Sequence, residues 1–233
     1  MKKLTLTFLI ILFSLTSNVV WSDDYTRGWD AFQSGDYATA LVEWEPLAEQ
    51  GDSDAQNGLG YMYRNGYGVQ QNYKTALKWY KLAAKQGDAY AQNNLGRMYF
   101  KGQGVLEDSK IAIKYFRLSA EQGNANGQTS MGYVYLNGYG VQQNYKTALK
   151  WNRLGAENES ANAQWNLSLM YENGVGVLQD NIYAHMWANI AAFNGNDDGS
   201  KTRDRVAKNM TTADISQAQN LARECVAKNY KDC

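Results

Sequence analysis

Histidine occurs once in these 233 residues, at His185, and proline once, at Pro46. Histidine is the usual general base and a common metal ligand, and one isolated copy cannot build a histidine-rich site. Net charge is missing too, because 23 basic and 23 acidic residues cancel. Such a chain has no sequence-wide field to draw it onto phosphates, which argues against a nucleic-acid partner. No Gly-x-x-x-x-Gly-Lys-Ser/Thr loop is present, and the acidic pairs Asp23-Asp24 and Asp197-Asp198 lack the alternating spacing of a calcium loop. No cofactor and no metal site is therefore expected. Cysteine is confined to Cys225 and Cys233.

Long apolar runs are absent after the first. Lys2 and Lys3 precede Leu4 to Leu15, an apolar stretch broken by Thr5, Thr7 and Ser14. It is short for a bilayer-spanning helix of roughly 20 residues. Val20 and Ser22 suit a signal-peptidase site, so residues 1–22 are expected to be a cleavable export signal cut after Ser22. No cysteine follows the cut to carry a lipid. The mature chain should be periplasmic or secreted, without a membrane span.

What is present is a repeat. Leu59-Gly60-Tyr61-Met62-Tyr63 returns as Leu95-Gly96-Arg97-Met98-Tyr99, as Met131-Gly132-Tyr133-Val134-Tyr135 and as Leu167-Ser168-Leu169-Met170-Tyr171. Corresponding residues, such as Leu59 and Leu95, differ by 36. A Gly-x-Gly-Val turn follows each, beginning at Gly66, Gly102, Gly138 and Gly174, and leads to an aromatic anchor at Trp79, Tyr115, Trp151 or Trp187. Asn65 to Trp79 and Asn137 to Trp151 are identical, which points to duplication of a two-repeat block. Ala55, Leu59, Met62 and Tyr63 share one helical face, and Ala76, Trp79, Tyr80, Ala83 and Ala84 make the matching face of a second helix. Each unit thus reads as an antiparallel helical hairpin. A glycine inside a helix costs roughly 1 kcal/mol against alanine, so Gly60, Gly96 and Gly132 predict close approach of a neighbouring helix. Asn72, Asp108, Asn144 and Asp180 stand at the N-cap of the second helix. Gly87 and Gly123 close that helix in two units, whereas the third has Asn158-Glu159 there.

The pattern Ala-x-x-x-Leu-Gly-x-x-Tyr-x-x-Gly-x-Gly-Val, followed by Asp/Asn-x-x-x-Ala-x-x-Trp/Tyr-x-x-x-Ala-Ala, resembles the Sel1-like repeat, a relative of the tetratricopeptide repeat. The resemblance covers four units, residues 53–88, 89–124, 125–160 and 161–196. It implies an all-α, right-handed superhelical solenoid of antiparallel helical hairpins, acting as an adaptor or scaffold. Residues 23–52 read as an N-terminal hairpin cap and 197–233 as a helical cap at the other end. The period is expected to stop after Asn196. Thr211, with Asp214 in the first turn, should start the last helix, whose stripe is Ile215, Ala218, Leu221, Ala222, Cys225 and Val226.

In an oxidising compartment Cys225 and Cys233 are expected to pair and tie down the tail; two free thiols, or a bond to another chain, are the alternatives. The family has a cysteine-rich branch with a disulfide in each repeat, some members of which are described as penicillin-binding; this chain lacks those cysteines. The expectation is a non-enzymatic binding scaffold for a protein or peptide. A cell-wall-acting or β-lactam-related enzyme, or a scaffold for peptidoglycan or polysaccharide, is the alternative. Glu172 has no evident partner in the sequence. The resemblance places the first helix of each unit on a concave binding face. Its outward residues are then Asn57, Tyr61, Arg64 and Asn65; Asn93, Arg97, Phe100 and Lys101; Thr129, Tyr133, Leu136 and Asn137; and Trp165, Leu169, Glu172 and Asn173. Asn amides can clamp an extended backbone, and Phe100, Leu136 and Trp165 offer apolar anchors.

Overall fold

The computed structural model describes residues 25–233; the expected export signal and its cut lie outside them. Among the described residues every regular element is a helix. Residues 25–34 form α1, followed by α2 (Tyr37–Glu49), α3 (Ser53–Asn65), α4 (Tyr73–Lys85), α5 (Ala89–Lys101) and α6 (Ser109–Glu121). Then come α7 (Ala125–Asn137), α8 (Tyr145–Glu157), α9 (Ala161–Asn173), α10 (Asn181–Phe193), α11 (Asp197–Ala207) and α12 (Thr212–Ala227). The chain divides into two compact units, one running to Ala91 with Gly102–Leu106 added, the other made of Gln92–Lys101 and Glu107–Cys233. In the first, α3 packs on α2 and α4; in the second, α7 packs on α6 and α8, α9 on α8 and α10, and α10 on α11 and α12.

Helix starts follow the capping chemistry of the sequence. The side chains of Asp36, Asn72, Asp108, Asn144 and Asp180 accept backbone N–H groups at the head of the second helices, which satisfies donors that have no intrahelical partner. Asp52, Asn124, Ser160 and Asn196 do the same for first helices. Asn196 is in register with the others, so the 36-residue geometry runs one helix further than the sequence pattern, into α11. Thr211 and Asp214 form the reciprocal capping box of α12. Pro46 is accommodated inside α2, which continues to Glu49 with Pro46 exposed.

The turn between helices is held by one recurring bond: the N–H of Asn72, Asp108, Asn144 and Asp180 donates to the carbonyl of Tyr63, Tyr99, Tyr135 and Tyr171 at 2.8–3.0 Å. The second glycine of the turn meets the start of the preceding second helix. A β-carbon on Gly176 would stand 2.8 Å from the Tyr145 carbonyl oxygen, so any side chain there would push two hairpins apart.

Inside the first three repeat hairpins the core position lies one residue beyond the expected anchors, whereas in the fourth the anchor Trp187 is itself buried. Trp79, Tyr115 and Trp151 are half-buried, whereas Tyr80, Phe116 and Asn152 are buried. These three side chains occupy the space that a β-carbon on Gly60, Gly96 or Gly132 would claim. A second recurring device is polar. Gln56, Gln128 and Gln164 are buried and donate to the carbonyls of Ala48, Ala120 and Ala156 near the end of the preceding helix. Each also accepts from the C-cap amide of its own hairpin's second helix, namely Gln86, Asn158 and Asn194, at 2.9 Å; Gln92 accepts from Gln122 in the same way at 2.7 Å. Four polar residues thus sit in the stack with their amides satisfied, as burial requires.

At the C-terminal end, Trp187, Ile190, Val206, Ala222, Cys225 and Tyr230 share one core cluster. Cys225 is bonded to Cys233, with 5.5 Å between their Cα atoms.

Candidate binding groove

Helices α5, α7 and α9 together line a cleft of about 370 Å³ in the second unit. The side chains come from the first helices of successive units, so the 36-residue register relates their positions. Asn93, Arg97, Phe100 and Lys101 come from α5, Asn126, Thr129, Ser130 and Tyr133 from α7, and Asn162, Trp165 and Asn166 from α9, with Phe116 of α6 behind them. Seven of the residues expected from sequence meet here: Asn93, Arg97, Phe100, Lys101, Thr129, Tyr133 and Trp165. Asn126, Ser130, Asn162 and Asn166 were not expected. They stand three residues before or one residue after Thr129 and Trp165, so the lining strip is broader than a single helical row.

The remaining expected residues stand elsewhere. Asn57, Tyr61, Arg64 and Asn65 are on α3, in the first unit; there Arg64 is buried and donates to Gln103 at 3.1 Å. Asn65, Asn137 and Asn173 turn back onto their own helices, donating to the carbonyls of Tyr61, Tyr133 and Leu169. Leu136 and Leu169 are half-buried outside the cleft. Glu172 has a partner that the sequence did not disclose: Arg205 of α11 grips both carboxylate oxygens, at 2.8 and 2.6 Å.

Within the cleft, Asn93 is not an outward residue. It is 3 % exposed and accepts from the Ser130 hydroxyl at 2.9 Å, forming the floor. Trp165 is held by its indole N–H, which donates to Thr202 at 3.1 Å. Thr129 bridges to Ser160 at 2.8 Å. Phe100 meets Tyr133 and Tyr139 edge-on, with ring centroids 6.2 and 5.4 Å away. A hydrogen bond to Tyr139, together with burial, raises the Tyr133 phenol above its ordinary value. Tyr61 and Tyr67 repeat this arrangement in the first unit, each against Phe32.

The charged residues lining the cleft are Arg97 and Lys101, and no carboxylate lines it. Amides and hydroxyls supply donors and acceptors, and rings supply apolar surface. Elsewhere, burial raises the carboxyls of Asp54 and Asp88. Among the described residues no group of three or more His, Cys, Asp or Glu side chains is placed to hold a metal ion, and no helix is long and apolar enough to cross a membrane. His185 is buried in α10, and its Nδ1 has no hydrogen-bond partner among the described residues. Burial foremost, then the nearby Arg203, holds its pKa below the ordinary value.

The family model of the Sel1 repeat matches residues 53–88, 89–124, 125–160 and 161–196. None of the curated proteins matches the chain. Among solved structures, the chain is similar to c5321 of uropathogenic Escherichia coli, described as a protective antigen displaying an SLR fold, with 32% identity and a TM-score of 0.78. That alignment covers 94% of this chain and 49% of the other, so this chain spans about half the length of c5321. It is also similar to a Sel1 repeat protein from Oxalobacter formigenes, with 33% identity, a TM-score of 0.69, and coverage of 89% of this chain and 84% of that one.

Proposed function

The chain belongs to the Sel1 repeat family, and from that premise we propose that it is an envelope scaffold that holds an extended, carboxylate-bearing segment of another protein in the groove of α5, α7 and α9. Sel1 repeat proteins are in general protein-interaction scaffolds, and the finer reading comes from the lining of the groove. Its decisive feature is that the charged residues of its lining, Arg97 and Lys101, are both cationic and share it with four asparagines. The cations favour an acidic partner, the amides can pair with an extended backbone, and Phe100, Tyr133 and Trp165 can take side chains. The apolar leader of the sequence and the Cys225–Cys233 bond favour an oxidising compartment outside the cytoplasm. The reading takes the protein to act by binding, not by catalysis.

A photo-reactive residue placed at Tyr133 of the full-length chain, expressed in the cells that make it, tests this. Cross-linked adducts should form from Tyr133 and be lost when Arg97 and Lys101 are both changed to Glu. The same probe at Lys114, exposed on α6 away from the groove, should not capture them. Adducts that persist in the Arg97→Glu, Lys101→Glu chain, or that form equally from Lys114, would move the partner to another face. Adducts to glycan in place of protein would favour the cell-wall reading.

A further inference from the structure

A second cavity lies outside the groove, where α10, α11 and α12 meet. It measures about 470 Å³ and is lined by residues that include Ile190, Phe193, Ser200, Arg203, Arg223 and Val226. Ile190 and, beside it, Ala222 form a buried apolar floor. Three departures from the 36-residue register surround it. Phe193 is 77 % exposed, at the position where Glu49, Lys85 and Glu121 are exposed and Glu157 is half-buried, all of them charged. Ser200 replaces Gln56, Gln92, Gln128 and Gln164; the shorter side chain does not extend the glutamine series. Arg203 stands where Leu59, Leu95, Met131 and Leu167 fill the core. The stack is therefore apolar where it should be solvated, short of volume where it should be filled, and cationic where it should be apolar.

No carboxylate lines the cavity. Arg203 pairs with Asp204 on its own helix, an exposed pair that can yield to a better-placed anion. Arg223 hydrogen-bonds the Asn220 side chain. The volume falls within the range of single small-molecule sites, roughly 300–1,000 Å³, and a small open concavity is less than a protein interface of about 800 Å² per partner needs.

We propose that this cavity is a site for a small amphiphilic anion, an apolar body bearing one acidic group, with Phe193, Ile190 and Val226 taking the body and Arg203 and Arg223 the charge. The site is separate from the groove and does not depend on what the groove holds.

The test uses 1-anilinonaphthalene-8-sulfonate, which combines an apolar ring system with one anion, titrated by fluorescence into the mature chain with its disulfide intact. Saturable binding to one site is expected. Phe193→Lys, which restores the residue found at this position in the first unit, should weaken binding about tenfold or more, as should the Arg203→Gln, Arg223→Gln pair; a tenfold change is the scale of one lost good contact. Tyr133→Ala in the groove should leave binding unchanged. The uncharged N-phenyl-1-naphthylamine should bind more weakly than the sulfonate. Thermal unfolding by circular dichroism accompanies each variant, and Phe193→Ser replaces Phe193→Lys if that chain melts early. The proposal is overturned if no saturable binding is seen, if Phe193 and arginine variants that fold like the parent bind as it does, if Tyr133→Ala abolishes binding, or if the neutral probe binds equally well.

Discussion

Gly96 and Phe116 are fitted to each other: a β-carbon on Gly96 would lie 2.6 Å from Cδ1 of the Phe116 ring and 3.1 Å from the Ala112 carbonyl oxygen. The ring is nearly fully buried, and it takes the place of a side chain on the facing helix. The same complementarity recurs with Tyr80 opposite Gly60, and with the smaller Asn152 opposite Gly132. In the fourth unit the register places Ser168 and Ala188 at these positions, and there the first helix carries a side chain and the second a methyl group.

Gly96→Leu should therefore destabilise the chain by about 3 kcal/mol or more, at the upper end of what overpacking costs. Urea unfolding followed by helical circular dichroism measures it. A variant as stable as the parent would show that the helices do not meet at this point.

Glu159 offers the opposite change. It holds a left-handed backbone, φ 65°, at the position where Gly51, Gly87, Gly123 and Gly195 do the same. That conformation costs a residue with a β-carbon roughly 1–2 kcal/mol, and Glu159 is exposed, so little packing is at stake. Glu159→Gly should raise stability by about 1 kcal/mol, after the greater entropy of glycine in the unfolded chain is offset. An unchanged or lower denaturation midpoint would refute the strain.

These two positions also mark what sequence can tell. The glycine series was legible because Gly inside a helix is costly and recurs at a fixed interval. Tyr80 was not separable from Trp79, because neighbouring aromatic residues lie only 100° apart on a helix and both fit an apolar face. Gln164 gave no signal at all: a glutamine reads as solvated until its two partners, the Ala156 carbonyl and the Asn194 amide, are brought to it. Likewise Asn93 was placed on the surface because its partner, Ser130, is 37 residues away, and Glu172 was left unpaired because Arg205 comes from a helix beyond the recognisable pattern.

His185 should make stability depend on pH. Its folded pKa is depressed, chiefly by burial, whereas the unfolded chain titrates near the ordinary histidine value of about 6.5. Between those two values the unfolded state binds the extra proton. Stability should then fall as pH drops below about 6.5, flatten once the folded value is passed, and be unaffected by this group above it. His185→Leu restores the apolar character of Leu77, Ile113 and Leu149 at the same position. Its midpoint, measured at pH 5 and pH 7.5, should show a smaller difference than the parent's. An identical difference would assign the dependence to other groups.

The bond between Cys225 and Cys233 anchors a tail that includes the buried Tyr230, whose hydroxyl meets the Asn194 amide. Alkylation with and without reductant, read by mass, should label neither cysteine until reduction. Cys233→Ser should cost less than the roughly 2–4 kcal/mol usual for a disulfide, because the closed loop is short. Faster hydrogen exchange is expected in α12, with α3 to α9 unchanged. Loss of protection throughout would mean that the tail supports more of the stack than its own end.

The glutamine joints carry a consequence for how such a chain can change in length. Gln128 and Gln164 make the same two bonds, one to a backbone carbonyl and one to a cap amide, and neither bond depends on which hairpin supplies it. Insertion or loss of a whole hairpin leaves every joint chemically matched, whereas a slip of a single residue mismatches them all. Copy number can therefore drift by recombination in whole blocks, and the verbatim run shared by Asn65–Trp79 and Asn137–Trp151 has the form that such an exchange leaves behind.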